Sequence, residues 1–138
     1  MTRSYNILIV ENSDFLREKI AGVLSRRPNV WMVTQVSNYS NLLQAARQSD
    51  PDVILVDMRL ASSKKETIAQ VSKECPDSKI LLFADDDVES YRKAAGQLGA
   101  HKVIDLQNLV EEFQNVLDTF PEYPGQKVNT PFPTDGRS

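Results

Sequence analysis

The sequence predicts an α/β fold in which a doubly wound, five-stranded parallel sheet is covered by helices on both faces. Five short aliphatic runs without polar–apolar alternation recur along the chain, and such runs are typical of strands that are buried on both sides. Segments with apolar residues at helical spacing separate the runs in units of about 20 to 25 residues, which indicates βαβ crossovers. For five such units, the expected strand order is 2-1-3-4-5.

The predicted strands are short, aliphatic and bounded by polar or turn-forming residues. The first, third and fourth contain uninterrupted aliphatic runs, as interior strands do. The second carries the polar residues Thr34 and Gln35 near its end, which favours an edge position. Asp57 directly follows the third strand. The five strands are predicted at residues 6–10, 30–36, 53–56, 79–84 and 102–106.

The segments between the strands carry apolar residues three or four positions apart, which predicts amphipathic helices. Pro28 ends the first helix, and Gly99 is expected to close the fourth, because glycine is common just after a helix. Cys75 lies on the apolar stripe of the third helix and is predicted to be a small core residue. Residues 60–63 are expected to form a loop. The five helices are predicted at residues 14–27, 41–49, 64–75, 88–98 and 109–120.

Residues 1–120 are predicted to form one domain, and residues 121–138 a proline-rich tail or linker. A chain of 138 residues has a typical length for one domain. Four of the seven prolines follow residue 120, where aliphatic residues are few, so this segment lacks the material for a core. It is either a flexible end or the beginning of a linker to a DNA-binding domain.

The composition excludes several function classes. The net charge of -3 gives no attraction to nucleic acid, and no helix-turn-helix pattern follows Phe120, so direct nucleic-acid binding is not expected. A single cysteine and a single histidine, His101, argue against a disulfide framework, a zinc site and most histidine-based catalysis. His101 is expected to be an exposed loop residue. The apolar runs are far shorter than the roughly 20 residues that cross a bilayer, so we expect a cytoplasmic protein without a membrane segment.

Acidic residues follow two of the predicted strands. Glu11 follows the first strand and Asp57 the third, and these two strands are neighbours in the expected order. Two carboxylates in one pocket repel each other, and a hard divalent cation such as Mg²⁺ relieves this cost. An aspartate at a strand tip is also placed to act as a nucleophile toward phosphorus. The plain alternative is an aspartate that only caps or solvates a loop.

Four stretches of the chain, in their order and spacing, resemble the response-regulator receiver domain of two-component signalling. The resemblance extends over about residues 5–120, and the sequence around the third and fourth strands is most similar to receivers of transcription factors with a helix-turn-helix output. It implies the flavodoxin-like receiver fold. The matching stretches are residues 6–12 with 15–18, residues 51–59, residues 76–83 and residues 98–100.

This resemblance also implies a function. Asp57 would take a phosphoryl group from a histidine kinase or phosphotransfer protein with the help of Mg²⁺, and the acyl phosphate would rearrange a protein-binding face. In the family, this face consists of the fourth helix, the fifth strand and the fifth helix. A homodimer through the fourth or fifth helix is a further expectation from the family.

The metal-binding positions of the family are only partly matched. Glu11 stands at the first acidic position, and Arg59 stands where a backbone carbonyl joins the metal. Asn12 occupies the position of the second, directly metal-binding aspartate, and its amide oxygen is neutral. The attraction between two unit charges about 4 Å apart is roughly 4 kcal/mol at an effective dielectric constant of about 20, before solvation losses, and an asparagine in place of an aspartate gives up an attraction of this size. We therefore expect Mg²⁺ to bind, but weakly.

The positions that couple phosphorylation to a conformational switch also differ from the family. Ala84 replaces a threonine or serine whose hydroxyl would bond the phosphoryl group, and Leu106 replaces a phosphate-binding lysine. Val103 stands where an aromatic switch residue is frequent, and Lys102 is too far along the strand to substitute for the lysine. Residues 85–87, all aspartates, are expected to form a solvated loop in which one of them caps the next helix. These departures predict atypical or weakened switching.

Two functions from different classes remain open. The first is a receiver that is phosphorylated at Asp57, and the second is a pseudo-receiver that binds a protein partner without phosphorylation. Enzyme functions have less support. A haloacid-dehalogenase-type phosphatase would need an aspartate where Arg59 stands. The first loop, residues 11–14 with the acidic Glu11 and Asp14, is unsuited to a flavin phosphate, and no nucleotide-binding glycine motif occurs. We therefore do not expect an enzyme.

Overall fold

The computed structural model of the chain describes residues 4–96 and 100–120. The predicted helix end at Gly99 and the predicted tail at residues 121–138 lie outside the described residues.

The sheet consists of five parallel strands, which are β1 (Tyr5–Val10), β2 (Val30–Val36), β3 (Val53–Asp57), β4 (Lys79–Ala84) and β5 (Lys102–Asp105). Their order across the sheet is β2-β1-β3-β4-β5. This order confirms the predicted fold class, and it places β2 at an edge, as its polar residues indicated. β1 pairs with β3 so that Val10 lies opposite Val56, which aligns the carboxyl ends of these two central strands.

Helices connect the strands and cover both faces of the sheet. The described α-helices are α1 (Asp14–Ser25), α2 (Leu42–Ser49), α3 (Met58–Ser63), α4 (Lys65–Glu74), α5 (Val88–Ala95) and α6 (Leu109–Asp118), with single 3₁₀ turns at Tyr39–Asn41 and Leu106–Asn108. Among residues 4–96 and 100–120, none of these helices has the length and apolar character that a membrane span requires.

The predicted loop after β3 was wrong, because residues 60–63 belong to the short helix α3. The Asp57 side chain explains the difference. Its carboxylate accepts a hydrogen bond from the backbone N–H of Arg59 at 2.8 Å and so caps a helix that begins directly after the strand. The polypeptide therefore turns at Asp57 itself rather than several residues later.

Two predictions about the segments that follow β4 and β5 also differ from the structure. Leu106 does not end the fifth strand, because the Asp105 side chain accepts a hydrogen bond from the Gln107 backbone N–H at 3.0 Å and begins a 3₁₀ turn. Asp87 stands at the N-cap position of α5, but its side chain makes no capping hydrogen bond, and its φ is 52°. A left-handed conformation at a non-glycine residue turns this side chain away from the usual capping geometry.

Each face of the sheet carries its own hydrophobic layer, which explains why the central strands lack polar–apolar alternation. Neighbouring residues of one strand point into opposite layers. Buried residues of the layer that contacts α2, α3, α4 and α5 include Leu8, Ile54, Leu82, Ala61 and Ile68. Buried residues of the layer that contacts α1 and α6 include Ile9, Leu55, Phe83, Leu24 and Phe113.

Two residues with reactive side chains have structural roles. Cys75 is partly buried against the first of these layers, as predicted for a small core residue. His101 is exposed, as predicted, but its Nδ1 also accepts a hydrogen bond from the Ile80 backbone N–H at 3.0 Å. Partial burial, and then the nearby charge of Lys79, lowers the pKa of His101, which favours the neutral ring that can accept this bond.

Candidate functional site

The candidate site lies at the carboxyl ends of β1 and β3. Asp57 is the last residue of β3, and Glu11 directly follows β1. Because Val10 and Val56 are paired in the sheet, the two acidic residues lie side by side. Asp57 is only 4% exposed and Glu11 is completely buried. The structure thus brings together the two carboxylates that the sequence placed in one pocket.

The Asp57 carboxylate contacts Arg59 through both of its oxygens. Oδ1 accepts hydrogen bonds from the Arg59 backbone N–H at 2.8 Å and from Nε at 3.4 Å. Oδ2 accepts a hydrogen bond from Nη2 at 3.0 Å, so the guanidinium forms an ion pair with a buried carboxylate. The Arg59 side chain itself is 76% exposed. It therefore reaches the pocket from the solvent side.

Glu11 is held by backbone contacts on one side and faces Asp57 on the other. Its Oε2 accepts a hydrogen bond from the Ser13 backbone N–H at 2.8 Å. Oε1 is buried and has no hydrogen-bond partner among the described residues. An ionised Asp57 offers no donor, so Oε1 can bond to it only when Glu11 carries a proton or when a cation lies between them.

The two carboxyl groups differ in acidity because their surroundings differ. Burial, and then the hydrogen bond that a protonated Glu11 can donate to Asp57, raises the pKa of Glu11 to about 7. Burial by itself would also raise the pKa of Asp57, but hydrogen bonds from the Arg59 side chain and from Glu11 outweigh it and lower that pKa below its ordinary value. Near neutral pH, the site therefore has an ionised Asp57 beside a Glu11 that is partly protonated.

Tyr39 is a member of the site that the sequence analysis missed. Its hydroxyl is buried and has no hydrogen-bond partner among the described residues. Burial, and then the charges of Asp57 and Glu11, raises the pKa of Tyr39, so the ring stays neutral. Nothing in the local sequence singles this residue out, because its proximity depends on how the 3₁₀ turn before α2 approaches the ends of β1 and β3.

Asp57 lines a cavity of about 190 Å³ whose wall combines acidic and apolar residues. Ala84 and Leu106 line this cavity as well, so the two substituted switch positions do face Asp57. Neither side chain can form a hydrogen bond there. Val103, in contrast, is 1% exposed and belongs to the hydrophobic layer.

Asn12 lies apart from this cavity. It is exposed, and it lines a neighbouring depression of about 460 Å³ together with Tyr39, Leu60 and Lys64. Lys102 is also remote, because it begins β5 and pairs with Leu81, whereas the site lies where the strands end. In the described part of the chain, no three histidine, cysteine, aspartate or glutamate side chains are grouped so that they could hold a metal ion.

Fold and site together define a doubly wound α/β domain with an aspartate-centred acidic pocket where the strand order reverses. The chain belongs to the response regulator receiver domain family, because the model of this family matches residues 7–117. This membership confirms the resemblance that the sequence indicated.

A curated relative of this chain is distant in sequence and much longer. A protein-glutamate methylesterase/protein-glutamine glutaminase of the group 1 operon from Pseudomonas putida is 26% identical over 125 residues, which are 90% of this chain and 34% of that protein. The chain thus spans about one third of the length of that relative.

Two solved structures have the same fold. A LuxR-family response regulator from Aurantimonas sp. SI85-9A1 has a TM-score of 0.72 and 19% identity over 83% of this chain and 86% of that one. A response regulator from Burkholderia pseudomallei with a phosphorylated aspartic acid, a calcium ion and citrate has a TM-score of 0.70 and 24% identity over 84% of this chain and 68% of that one. At these identities the likeness shows the fold.

The raised pKa of Glu11 predicts how stability depends on pH. The folded protein binds this proton more tightly than the unfolded chain, so the contribution of Glu11 to stability is lost as pH rises from about 4.5 to about 7. Glu11→Gln has no carboxyl group at this position, so its stability does not fall in this way, and its amide oxygen can still accept the hydrogen bond from the Ser13 N–H. We expect the unfolding free energy of the variant, relative to that of wild type, to rise by roughly 1 to 3 kcal/mol as the pH is raised from about 4.5 to about 8.

Urea unfolding at a series of pH values measures this difference. Glu18→Gln is the matched control, because Glu18 is exposed on α1, and it should show no such gain. A difference between Glu11→Gln and wild type that is independent of pH would contradict the prediction.

Proposed function

We propose that this chain is a signalling receiver that accepts a phosphoryl group on Asp57 from a histidine kinase or phosphotransfer protein, in the cytoplasm, with weakened switching. The observation that carries the proposal is the buried Asp57 carboxylate beside Glu11 at the carboxyl ends of neighbouring central strands. Membership of the receiver family makes phosphoryl transfer the chemistry that this arrangement supports best.

The proposed step is a displacement at phosphorus. An Asp57 carboxylate oxygen attacks the phosphorus of a phosphohistidine, a P–O bond forms, and the P–N bond breaks. The departing imidazole nitrogen takes up a proton from solvent, and Asp57 becomes an acyl phosphate. The lowered pKa of Asp57 supports this role, since the attacking group must be ionised. The cavity next to Asp57 leaves space for the incoming group.

The residues of the site fit a divalent cation, although incompletely. Two carboxylates converge, and Glu11 Oε1 is a buried oxygen without a partner among the described residues, which is the kind of ligand that Mg²⁺ prefers. Glu11, Asp57, Asn12 and the backbone carbonyl of Arg59 would hold the ion. A bound Mg²⁺ would offset the charge that develops during transfer. Affinity should be low, because Asn12 is neutral and faces the neighbouring depression.

Weakened switching is proposed from the apolar residues around Asp57. A phosphoryl group in this cavity would meet the methyl group of Ala84 and the side chain of Leu106 instead of a hydroxyl and an amine. Asp85 and Asp86 line the same cavity and would repel it. Phosphorylation would therefore be weakly coupled to the rest of the domain.

The output is proposed to be protein binding rather than catalysis or direct contact with nucleic acid. A partner would bind the face formed by α5, β5 and α6, and a second copy of the chain could use the same face. The pseudo-receiver is the second candidate function. It is favoured by the ion pair that already engages both oxygens of Asp57, together with Ala84 and Leu106.

Labelling by a small phosphodonor tests the proposed phosphoacceptor. We expect incubation with acetyl phosphate or phosphoramidate and Mg²⁺ to add one phosphoryl group that is labile to hydroxylamine. Asp57→Asn should abolish this adduct, because an amide oxygen is a poor nucleophile, and removal of Mg²⁺ should reduce labelling at least about tenfold. Intact-mass spectrometry measures both effects.

Asp77→Asn is the control for this experiment, because Asp77 lies in the exposed turn before β4, and it should label like wild type. Absence of any adduct, under conditions that label another receiver, would favour the pseudo-receiver. Labelling that persists in Asp57→Asn would show that another residue is the acceptor.

Weakened switching predicts that a hydroxyl at position 84 restores a response. In Ala84→Thr, the hydroxyl can bond the phosphoryl group, and a hydrogen bond to a charged group contributes roughly 1.5 to 3 kcal/mol, which is about tenfold to 150-fold in the switching equilibrium. We expect phosphorylation to change the amide NMR shifts of residues 102–118 more strongly in this variant than in wild type.

Ala84→Val is the matched control, because valine has nearly the shape of threonine without its hydroxyl. It should respond no more than wild type does. If wild type and Ala84→Thr respond equally, the switch is not weakened at this position.

A further inference from the structure

We propose that the Arg59 guanidinium is a built-in cation of the acidic pocket, which occupies the Asp57 carboxylate until a divalent ion displaces it. This inference rests on the proposed function, because it assigns to Arg59 a regulatory role at the same site. It concerns the side chain of Arg59, whereas the proposed metal site uses only its backbone carbonyl.

The contact has the geometry of a two-point ion pair. Nε and Nη2 approach different oxygens of Asp57, at 3.4 and 3.0 Å, and a guanidinium held in this way is oriented as well as attracted. The backbone N–H of Arg59 contacts the same carboxylate at 2.8 Å. The start of α3 is thereby fixed, so only the side chain has to move when the ion pair breaks.

Such movement is feasible because the two partners differ in burial. The Asp57 side chain is 5% exposed and the Arg59 side chain is 76% exposed. The arginine can therefore swing into water without opening a cavity in the core. Water reaches the arginine side of the ion pair, which lets a divalent cation compete with it for the carboxylate.

The surrounding charges explain why the pocket needs a cation when no metal is bound. Asp57, Asp85 and Asp86 all line the cavity, and Arg59 is the one basic residue among the described residues that line it. Leu106 provides no charge at this place. Loss of the guanidinium would leave the buried Asp57 without a compensating positive charge.

Arg59 and a divalent cation would compete for the Asp57 carboxylate. The guanidinium contacts both oxygens, so a cation that bound either of them would come close to the guanidinium, and two positive groups at that distance repel. The same oxygens include the one that attacks phosphorus in the proposed transfer. Metal binding and phosphorylation at Asp57 would therefore require the Arg59 side chain to release the carboxylate.

Mg²⁺ titration of variants tests this competition without requiring phosphorylation. Arg59→Gln removes the charge, and we expect its dissociation constant for Mg²⁺ to be about threefold to tenfold lower than that of wild type. Amide shifts of residues 11–13 and 57–59 report binding. Arg47→Gln is the matched control, because it removes an equal charge from an ion pair elsewhere in the domain, that of Arg47 on α2 and Glu74 on α4. It should change the constant less than about twofold.

The Arg59 side chain can also be observed directly. In metal-free wild type, its Nε–H NMR signal should show slow exchange with solvent, and saturating Mg²⁺ should remove this protection. An Nε–H that stays protected with Mg²⁺ bound, or that is never protected, would overturn the inference.

The outcomes separate this inference from the proposed function. If all variants bind Mg²⁺ with equal affinity, Arg59 is not a competing cation, but a metal-dependent receiver remains supported. If neither wild type nor Arg59→Gln binds Mg²⁺ at millimolar concentration, both the inference and the metal-dependent part of the proposed function are wrong. Binding by Arg59→Gln alone would be the strongest form of the expected result.

Discussion

Two acidic side chains, Asp57 and Glu11, are buried next to each other at the ends of β3 and β1. Burying two like charges is unfavourable unless a proton or a cation offsets them. In this structure both compensations occur, because the pKa of Glu11 is raised to about 7 and Arg59 pairs with Asp57. The acidity of the site depends on how this charge is balanced, and so do the metal binding and phosphoryl transfer that we propose for it.

The parallel sheet causes this crowding of acidic groups and also places them where they face a cavity. Strands buried on both faces must be aliphatic, so polar groups can appear only where the strands end. Asp57 then serves two purposes, as its carboxylate caps α3 and faces the cavity in which we propose phosphoryl transfer. A helix that begins at Asp57 also holds Arg59 two residues away, within reach of both carboxylate oxygens.

Local patterns in the sequence predicted the strands, their order and the place of the acidic pair, although several helix and strand ends differ by one or two residues. The aliphatic runs predicted β2 and β4 with their observed bounds, and the order of strands placed Glu11 beside Asp57. Sequence reasoning failed where side chains decide the backbone, since the capping contact of Asp57 turns residues 60–63 into a helix. The ion pair of Arg59 depends on that helix, so its side chain could not be assigned before α3 was known.

Titration of the two carboxyl groups in the metal-free protein tests most directly whether one ionised and one protonated acid share the site. Carbon-13 NMR of the side-chain carboxyl carbons can follow Asp57 and Glu11 separately as pH changes. We expect Asp57 to titrate below the ordinary range of an aspartate and Glu11 to titrate near pH 7. If both groups titrate at their ordinary values, or if Asp57 is the one that retains its proton, the proposed charge balance is wrong.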